Sequence, residues 1–195
     1  MTKIRSAEQL TQLRDTIRAD RDARRTAGHH EIRICMGAGC IASGAAEVKE
    51  ALQQSLHAHA MDRHVRVIGT GCLGPCSGGP ALVVDGVFYQ HVRPQDADAI
   101  VSEHLRRGTP VERLTFRRAD GRSVAGESEI EFFARQTKIV LRNCGRIDPT
   151  SIEDYIAEDG YQALAKVLAQ DDPEAVINTL KTSGLRGRGG AGFPT

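Results

Sequence analysis

Residues 34–45, ICMGAGCIASGA, and 68–84, IGTGCLGPCSGGPALVV, decide how this 195-residue chain folds. They carry four of its five cysteines as two close pairs, Cys35/Cys40 and Cys72/Cys76, spaced C-x4-C-x31-C-x3-C. Each pair follows a short β-branched run and lies among glycines, Gly37 and Gly39 in the first, Gly71 and Gly74 in the second. Working outward, 31–34 reads as a strand, 44–61 as a helix with Val48, Ala51, Leu52 and Leu56 on one face, and 65–68 as a second strand. A right-handed crossover lays such strands in parallel and brings their C-terminal ends to one edge, where open α/β sheets place their sites. Asp85-Gly86 between two apolar runs predicts a tight hairpin. A last helix over 95–107 ends at Gly108.

This β-α-β-β-β-α order is that of a thioredoxin-like sheet with helices packed on it. No C-x-x-C occurs anywhere in the chain, so the dithiol site of a thioredoxin is not present. Three readings compete for the cysteines. Small residues between thiolates let the backbone wrap close to a bulky group and offer N–H groups to its sulfurs, as iron-sulfur ligation by four thiolates requires. Zinc also accepts four cysteines, but its knuckles favour tight spacers in small domains that need metal to fold, and this segment has a full α/β core. A thiol switch without metal needs a low-pKa attacking thiol. Spacing and the paired glycine loops favour the cluster and leave the other two open. The histidines are poor ligand candidates: His57 and His59 are two apart on a helix, and none falls within either cysteine loop. Cys144, in NCGRIDP, has no partner at motif spacing and reads as a small buried hydrophobe. Met36 and Leu73 stand on the rim of the loops, either as exposed apolar contacts or packed over the site.

The remaining chain is ordinary in composition: 40% hydrophobic, 26% charged, net charge +1. With 4% aromatics and no recognisable motif, nothing points to nucleic acid. The charged opening, MTKIRSAEQLTQLRD, lacks the apolar core of a signal peptide and no later run approaches a membrane span. These features predict a cytoplasmic protein, where paired cysteines hold metal more often than they form disulfides. Residues 6–27 read as one polar helix with Ser6 and Gln9 as a capping box, and its run RADRDARR as a solvated face. Residues 109–130 are polar and glycine-punctuated, a linker or edge hairpin. Then FFARQTKIVLRNCGRIDP gives an apolar anchor and a short extended run, Thr150 and Glu153 cap a helix, 161–169 forms a second, and Asp172-Pro173 starts a third. The final SGLRGRGGAGFPT exposes backbone N–H groups beside Arg186 and Arg188, a combination suited to phosphate or, equally, a flexible tail. The organisation predicted is a polar helix over 1–30, the α/β domain over 31–108, a linker over 109–130 and a further segment over 131–195.

GCLGPCSGGPALVVDGVFY with the Cys35/Cys40 pair before it resembles the thioredoxin-like [2Fe-2S] ferredoxin domain. FFARQTKIVLRNCGRIDPTSIEDYIAEDGYQALAKVL through SGLRGRGGAGFPT resembles the N-terminal part of the flavoprotein subunit of respiratory complex I and its relatives in NAD(P)-linked hydrogenases and formate dehydrogenases. The resemblance spans about 32–195. It implies an α/β ferredoxin domain followed by a mostly helical opening segment of an FMN/NAD-binding domain. It implies a [2Fe-2S] cluster on Cys35, Cys40, Cys72 and Cys76, and a glycine-rich loop, Gly187, Arg188, Gly189, Gly190, Ala191 and Gly192, lying against FMN and the nicotinamide nucleotide. The family's remaining flavin contacts, nucleotide pocket and [4Fe-4S] motif lie downstream of the match, so FMN, NAD(P) and [4Fe-4S] are implied for a longer protein. The chain read by itself then carries electrons for other subunits of a redox complex and has no catalytic residue of its own. The rival expectation is a zinc-bound interaction module that docks partner subunits; zinc is colourless, so absorption separates the two.

Overall fold

The computed structural model describes residues 3–195, and the chain divides into two compact units, 19–155 and 1–18 with 156–195.

The larger unit is built on a four-stranded mixed sheet of order β2-β1-β3-β4. Strand β1 (His30–Cys35) pairs in parallel with β2 (Val65–Thr70), Cys35 opposite Thr70, so both strands end at one edge. Strands β3 (Leu82–Val84) and β4 (Val87–Tyr89) are antiparallel and joined by Asp85 and Gly86, both at positive φ as the primed hairpin turn requires. Because strand side chains alternate between faces, Ile32, Ile34, Leu82, Val84 and Tyr89 enter one core while Cys35, Val83 and Phe88 enter a second on the opposite face.

The first core is closed by α3 (Ala45–Ala58), which buries Val48, Leu52 and Leu56 in it at helical spacing, while Ala45 at its start packs in the second. The helix predicted over 44–61 is shorter, and a separate helix, α2 (Ala38–Ala42), precedes it and carries Cys40. Gly44, at φ 98°, makes the break between them in a conformation few side chains tolerate. The helix predicted over 95–107 is three geometries in series: a 3-10 turn at Pro94–Asp96, one α turn, α4 (Ala97–Ala99), and a π-helical stretch at Ile100–Leu105. The wider turn buries Ile100, Val101, His104 and Leu105 together.

His104 is held there by a polar chain through the core. The Val111 N–H donates to the Tyr89 hydroxyl at 2.9 Å, and the same hydroxyl shares a hydrogen bond with His104 Nδ1, also 2.9 Å away. A hydroxyl both donates and accepts, so it serves either tautomer of the neutral ring. Burial drives the His104 pKa down and the Tyr89 pKa up to about 12. A histidine with a lowered folded pKa binds its proton more readily when unfolded. The stability it contributes is therefore full above the ordinary value of about 6.5 and is lost as pH falls toward the folded pKa. Urea midpoints taken from pH 7.5 downward should fall more steeply in the wild type than in His104→Gln; parallel curves would count against this network.

On the second face, residues 109–130 form a small hairpin, β5 (Phe116–Arg117) and β6 (Ser123–Val124), whose Val124 packs with Phe88 and Ile130. Helix α5 (Glu131–Ala134) follows, with Phe133 edge-on to Phe88 at 5.3 Å. Residues 138–147, expected as an extended run, are turns instead, and no ladder pairs them.

Helix α1 (Ala7–Thr26) starts with Ser6 Oγ accepting from the Gln9 N–H, while Gln9 Oε1 accepts from Arg5 N–H, so the box closes one residue early. The arginine run is only partly a solvated face. Within the larger unit Arg21 reaches Asp154. Within the smaller one Arg14 and Arg18 hold Asp159, and Arg18 Nε donates to the Ala157 carbonyl at 2.7 Å. Helix α6 (Ile152–Ala157) is capped by Ser151, whose Oγ accepts from the Asp154 N–H, and not by Thr150, which turns to Asp148. Helices α7 (Gln162–Gln170) and α8 (Pro173–Thr182) complete the smaller unit, the latter capped by Asp172 accepting from Ala175 N–H at 3.0 Å. No helix among the described residues is long and apolar enough to cross a membrane.

Candidate metal centre

The shared ends of β1 and β2 position the site. Cys35 is the last residue of β1, its N–H bonded to Ala81 O at 3.0 Å, and Met36 N–H crosses to Thr70 O at 2.9 Å. The backbone then turns into α2, where the Ile41 N–H returns to Gly37 O and Cys40 comes back over the sheet edge. On the other side Cys72 follows β2, and Cys76 opens a single 3-10 turn, Cys76–Gly78.

Cys35, Cys40, Cys72 and Cys76, together with Leu73, Gly74, Pro75 and Ala81, line one tight, shallow cleft that opens partly to solvent. Cys35 and Cys40 are buried, Cys72 and Cys76 exposed, and all are free thiols. Among the described residues no three potential ligand side chains converge on a single ion position. All four cysteines line this one cleft, and four thiolates are the donor set that iron-sulfur groups take.

The glycines are required by close approach. A Cβ on Gly37 would lie 3.3 Å from Cys72 Cβ and 3.5 Å from Cys35 Sγ, and one on Gly79 would lie 3.0 Å from Cys40 Sγ. Gly74 combines φ 122° with the Phe132 ring where its Cβ would be, so α5 covers this turn. The donor set and its glycine cradle therefore fit a thiolate-bound iron-sulfur group.

Electrostatics bear on the metal-free alternative. Burial, reinforced by the neighbouring Cys35 thiol, pushes the Cys40 thiol up to about 11, and burial likewise raises Cys72, whose neighbours Cys35 and Cys76 add to the effect. A redox-sensing nucleophile needs a lowered pKa, and these two thiols move the other way.

Of the two roles open to the rim residues, Leu73 takes the packed one: it is buried in one core cluster with Cys35, Cys40 and Val83, and Met36 is half-buried against both cores. Cys144 is not a bland buried residue: its Sγ donates to the Cys72 carbonyl at 3.3 Å. Its neighbours are tied to the same edge, Gly145 O accepting from Arg33 Nη1 at 2.8 Å and Ile147 O from Thr70 Oγ1 at 2.8 Å. Seventy-two residues separate Cys144 from Cys72, so only the odd cysteine count hinted at this contact.

The glycine-rich loop lies in the smaller unit. It is a closed, exposed turn: the Gly187 N–H donates to Phe193 O at 2.7 Å and Arg186 Nε to Gly192 O at 2.8 Å. Gly189 and Gly190 face open space.

The thioredoxin-like [2Fe-2S] ferredoxin family matches residues 23–105, the stretch that holds the cleft. HndC of Solidesulfovibrio fructosivorans, part of an NADP-reducing hydrogenase, is 62% identical over 61 residues, 31% of this chain and 12% of HndC. A component of the NADH-quinone oxidoreductase of Rhizobium meliloti is 46% identical over 57 residues, 29% of this chain and 14% of its own length. The chain thus spans only a small part of these two relatives. A 2Fe-2S ferredoxin of Aquifex aeolicus differs in that respect, being 42% identical over 78 residues that make up 38% of this chain and 70% of the ferredoxin. Identity at that level across most of a small protein, together with the family match over 23–105, makes this chain a member of the thioredoxin-like [2Fe-2S] ferredoxin family.

Proposed function

We propose that the chain is the electron-carrying N-terminal part of an NAD(P)H-linked, FMN-containing oxidoreductase subunit, of the hydrogenase, formate dehydrogenase or NADH-quinone reductase type. The observation that carries this reading is the single cleft lined by Cys35, Cys40, Cys72 and Cys76 at the edge of the ferredoxin sheet. A [2Fe-2S] cluster, when bound there, supplies one-electron chemistry at a potential tuned by hydrogen bonds and burial. The protein's part is ligation by four thiolates, shielding by Leu73 on the inner side, and exposure on the Cys72 and Cys76 side, where a partner can approach. The domain so used runs over 31–108, with 109–130 linking it to a flavoprotein segment over 131–195, in a cytoplasmic complex.

In that segment Gly187, Arg188, Gly189, Gly190, Ala191 and Gly192 would face FMN and the nicotinamide nucleotide. The open space over Gly189 and Gly190 supports this, since bare backbone N–H groups suit phosphate. No hydride-transfer step is assigned to these residues, and the FMN, NAD(P) and [4Fe-4S] chemistry belongs to a longer protein.

The test is an anaerobic absorption and EPR spectrum of the purified chain, before and after dithionite, with iron and zinc assayed on the same sample. A brown protein with about two irons per chain and a reduced S = 1/2 signal is expected. A colourless protein with stoichiometric zinc would replace this reading with the docking module.

A further inference from the structure

The loop that carries Cys72 is held from outside the ferredoxin domain. At its start, Gly71 lacks a side chain where the Cys144 thiol lies: a Cβ there would be 3.1 Å from Cys144 Sγ. Cys144 Sγ donates to the Cys72 carbonyl, and a Cβ on Gly145 would be 3.5 Å from that carbonyl oxygen and 3.0 Å from Leu73 Cδ2. At the loop's other end the Phe132 ring fills the space over Gly74. Two segments that both lack a Cβ where they meet pack backbone against backbone, which leaves the loop little room to move. The first cysteine loop differs. Gly37 meets Cys72 and Cys35, and Gly39 meets Cys76, so its close contacts stay within the domain.

The turn that reaches over is closed on itself and pinned to the sheet. Cys144 N–H donates to Leu141 O at 2.9 Å and Arg146 N–H to Asn143 O at 3.1 Å. Arg33 gives one guanidinium nitrogen to Gly145 O and another to Glu127, each at 2.8 Å, and the fully buried Thr70 holds Ile147 O. A weak S–H donor is thus brought to one chosen carbonyl by stronger bonds on either side.

That carbonyl governs the geometry at sulfur. Its direction is the ψ angle of Cys72, and two residues on, the Gly74 N–H is hydrogen-bonded to the Cys72 sulfur. The Gly74 carbonyl in turn accepts from Cys76 N–H at 2.8 Å, so the backbone setting at Cys72 carries through to the second thiol of the pair. Amide bonds to cluster sulfurs favour the more negative, reduced state and raise the potential.

Resting on the electron-carrier reading above, we propose that Cys144 is a positioning residue for the cluster: through the Cys72 carbonyl it fixes the 72–74 backbone, so that the segment after residue 130 tunes a cluster whose ligands all lie in the ferredoxin domain. Both sides of this contact belong to the larger unit. Packing alone needs no donor at 144, and an apolar side chain of the same size would serve it.

The test is the midpoint potential of the purified chain, titrated anaerobically by EPR, in wild type, Cys144→Ala, Cys144→Ser and Gly71→Ala. Cys144→Ala removes the donor and should make the cluster harder to reduce. At a fixed potential the reduced-to-oxidised ratio should fall about threefold to tenfold, tenfold being about 59 mV for one electron. Cys144→Ser offers a hydroxyl to the same carbonyl and should stay within about twofold of wild type. Gly71→Ala pushes the turn off the loop and should shift the potential as Cys144→Ala does, with the double variant no further than the larger single, since both act through one contact. Unchanged potentials in Cys144→Ala and Gly71→Ala at full iron occupancy would overturn the proposal. So would equal shifts in Cys144→Ala and Cys144→Ser, which assign the effect to packing, or loss of iron in Cys144→Ser, which makes Cys144 a ligand. Should Gly71→Ala not fold, the alanine and serine variants at 144 decide by themselves. A wild-type sample with the cluster spectrum and variants without these shifts defeat this inference alone, whereas a wild-type sample without iron defeats the electron-carrier reading on which it rests.

Discussion

Cys72→Ser is expected to remove most of the protein's visible absorption, its bound iron and its reduced EPR signal, while Cys144→Ser, one hydrogen bond away, keeps all three. The two sulfurs differ in what they face. Cys72 lines the cleft with Cys35, Cys40 and Cys76. Cys144 Sγ points to the backbone carbonyl of Cys72 and is not part of the lining. A serine hydroxyl is a harder and far less acidic donor than a thiol, so it replaces a thiolate on iron poorly. At Cys144 a hydroxyl can donate the same hydrogen bond to the same carbonyl. Stability should follow the metal, because a group that binds the folded state alone adds its binding free energy to folding. The melting temperature should therefore fall in Cys72→Ser and stay within a few degrees of wild type in Cys144→Ser. Anaerobic purification with paired iron assays, spectra and melts checks all of this. Full iron and an unchanged spectrum in Cys72→Ser, or loss of both in Cys144→Ser, would reassign the ligand set.

What could be read from the chain before its structure divides along a physical line. The short β-branched runs at 31–34 and 65–68 read as strands, and β1 and β2 cover them, because strand preference is local. Asp85-Gly86 marked the β3–β4 turn for the same reason. The β-α-β connection put both cysteine pairs at one edge, as the pairing of Cys35 with Thr70 requires. Features decided by distant contacts were not legible. Its place between cysteines left Leu73 open as an exposed contact or as packed over the site, and burial in one cluster with Ala81, Val83 and Phe88 decides for packing. The helix over 95–107 has an ordinary apolar period, and its widening to a π-helix accompanies the Tyr89 hydrogen bond to His104. Short α2 is invisible because GAGCIAS has poor helix propensity, and it forms where the chain must return Cys40 to the cleft. The solvated face assigned to the arginine run failed at Arg21, whose partner Asp154 lies 133 residues away.

That partner underlies the second large effect: Asp154→Ala is expected to destabilise the larger unit by about 2–4 kcal/mol. The Asp154 side chain is 3% exposed and accepts from every direction. Arg21 Nη2 of α1 approaches at 2.5 Å, Arg66 Nη2 of β2 makes a short contact, the Asp148 N–H donates at 2.9 Å and Ser151 Oγ at 3.2 Å. Removing the carboxylate leaves two guanidinium groups facing each other and a backbone N–H without its acceptor. Breaking a fully buried pair costs about 3–5 kcal/mol. Here the arginine side chains keep 30% and 39% exposure, so water takes up part of the loss and the estimate drops. Asp154→Asn retains an oxygen for the Asp148 N–H and should recover roughly half of the effect. Guanidinium midpoints with an unchanged m value would report the loss as stability and not as a change in the unfolded chain. A double-mutant cycle with Arg66→Met should give a coupling above about 1 kcal/mol, since the two groups touch. Because the same carboxylate holds Asp148, next to the Ile147 carbonyl that Thr70 binds, the effect extends to the cleft: Asp154→Ala should also lose its iron faster on dilution than wild type. A change under about 0.5 kcal/mol, with iron loss unaltered, would mean that the arginines find equivalent solvation without Asp154 and that the anchoring of 143–148 beside the cysteines rests on Arg33 and Thr70 alone.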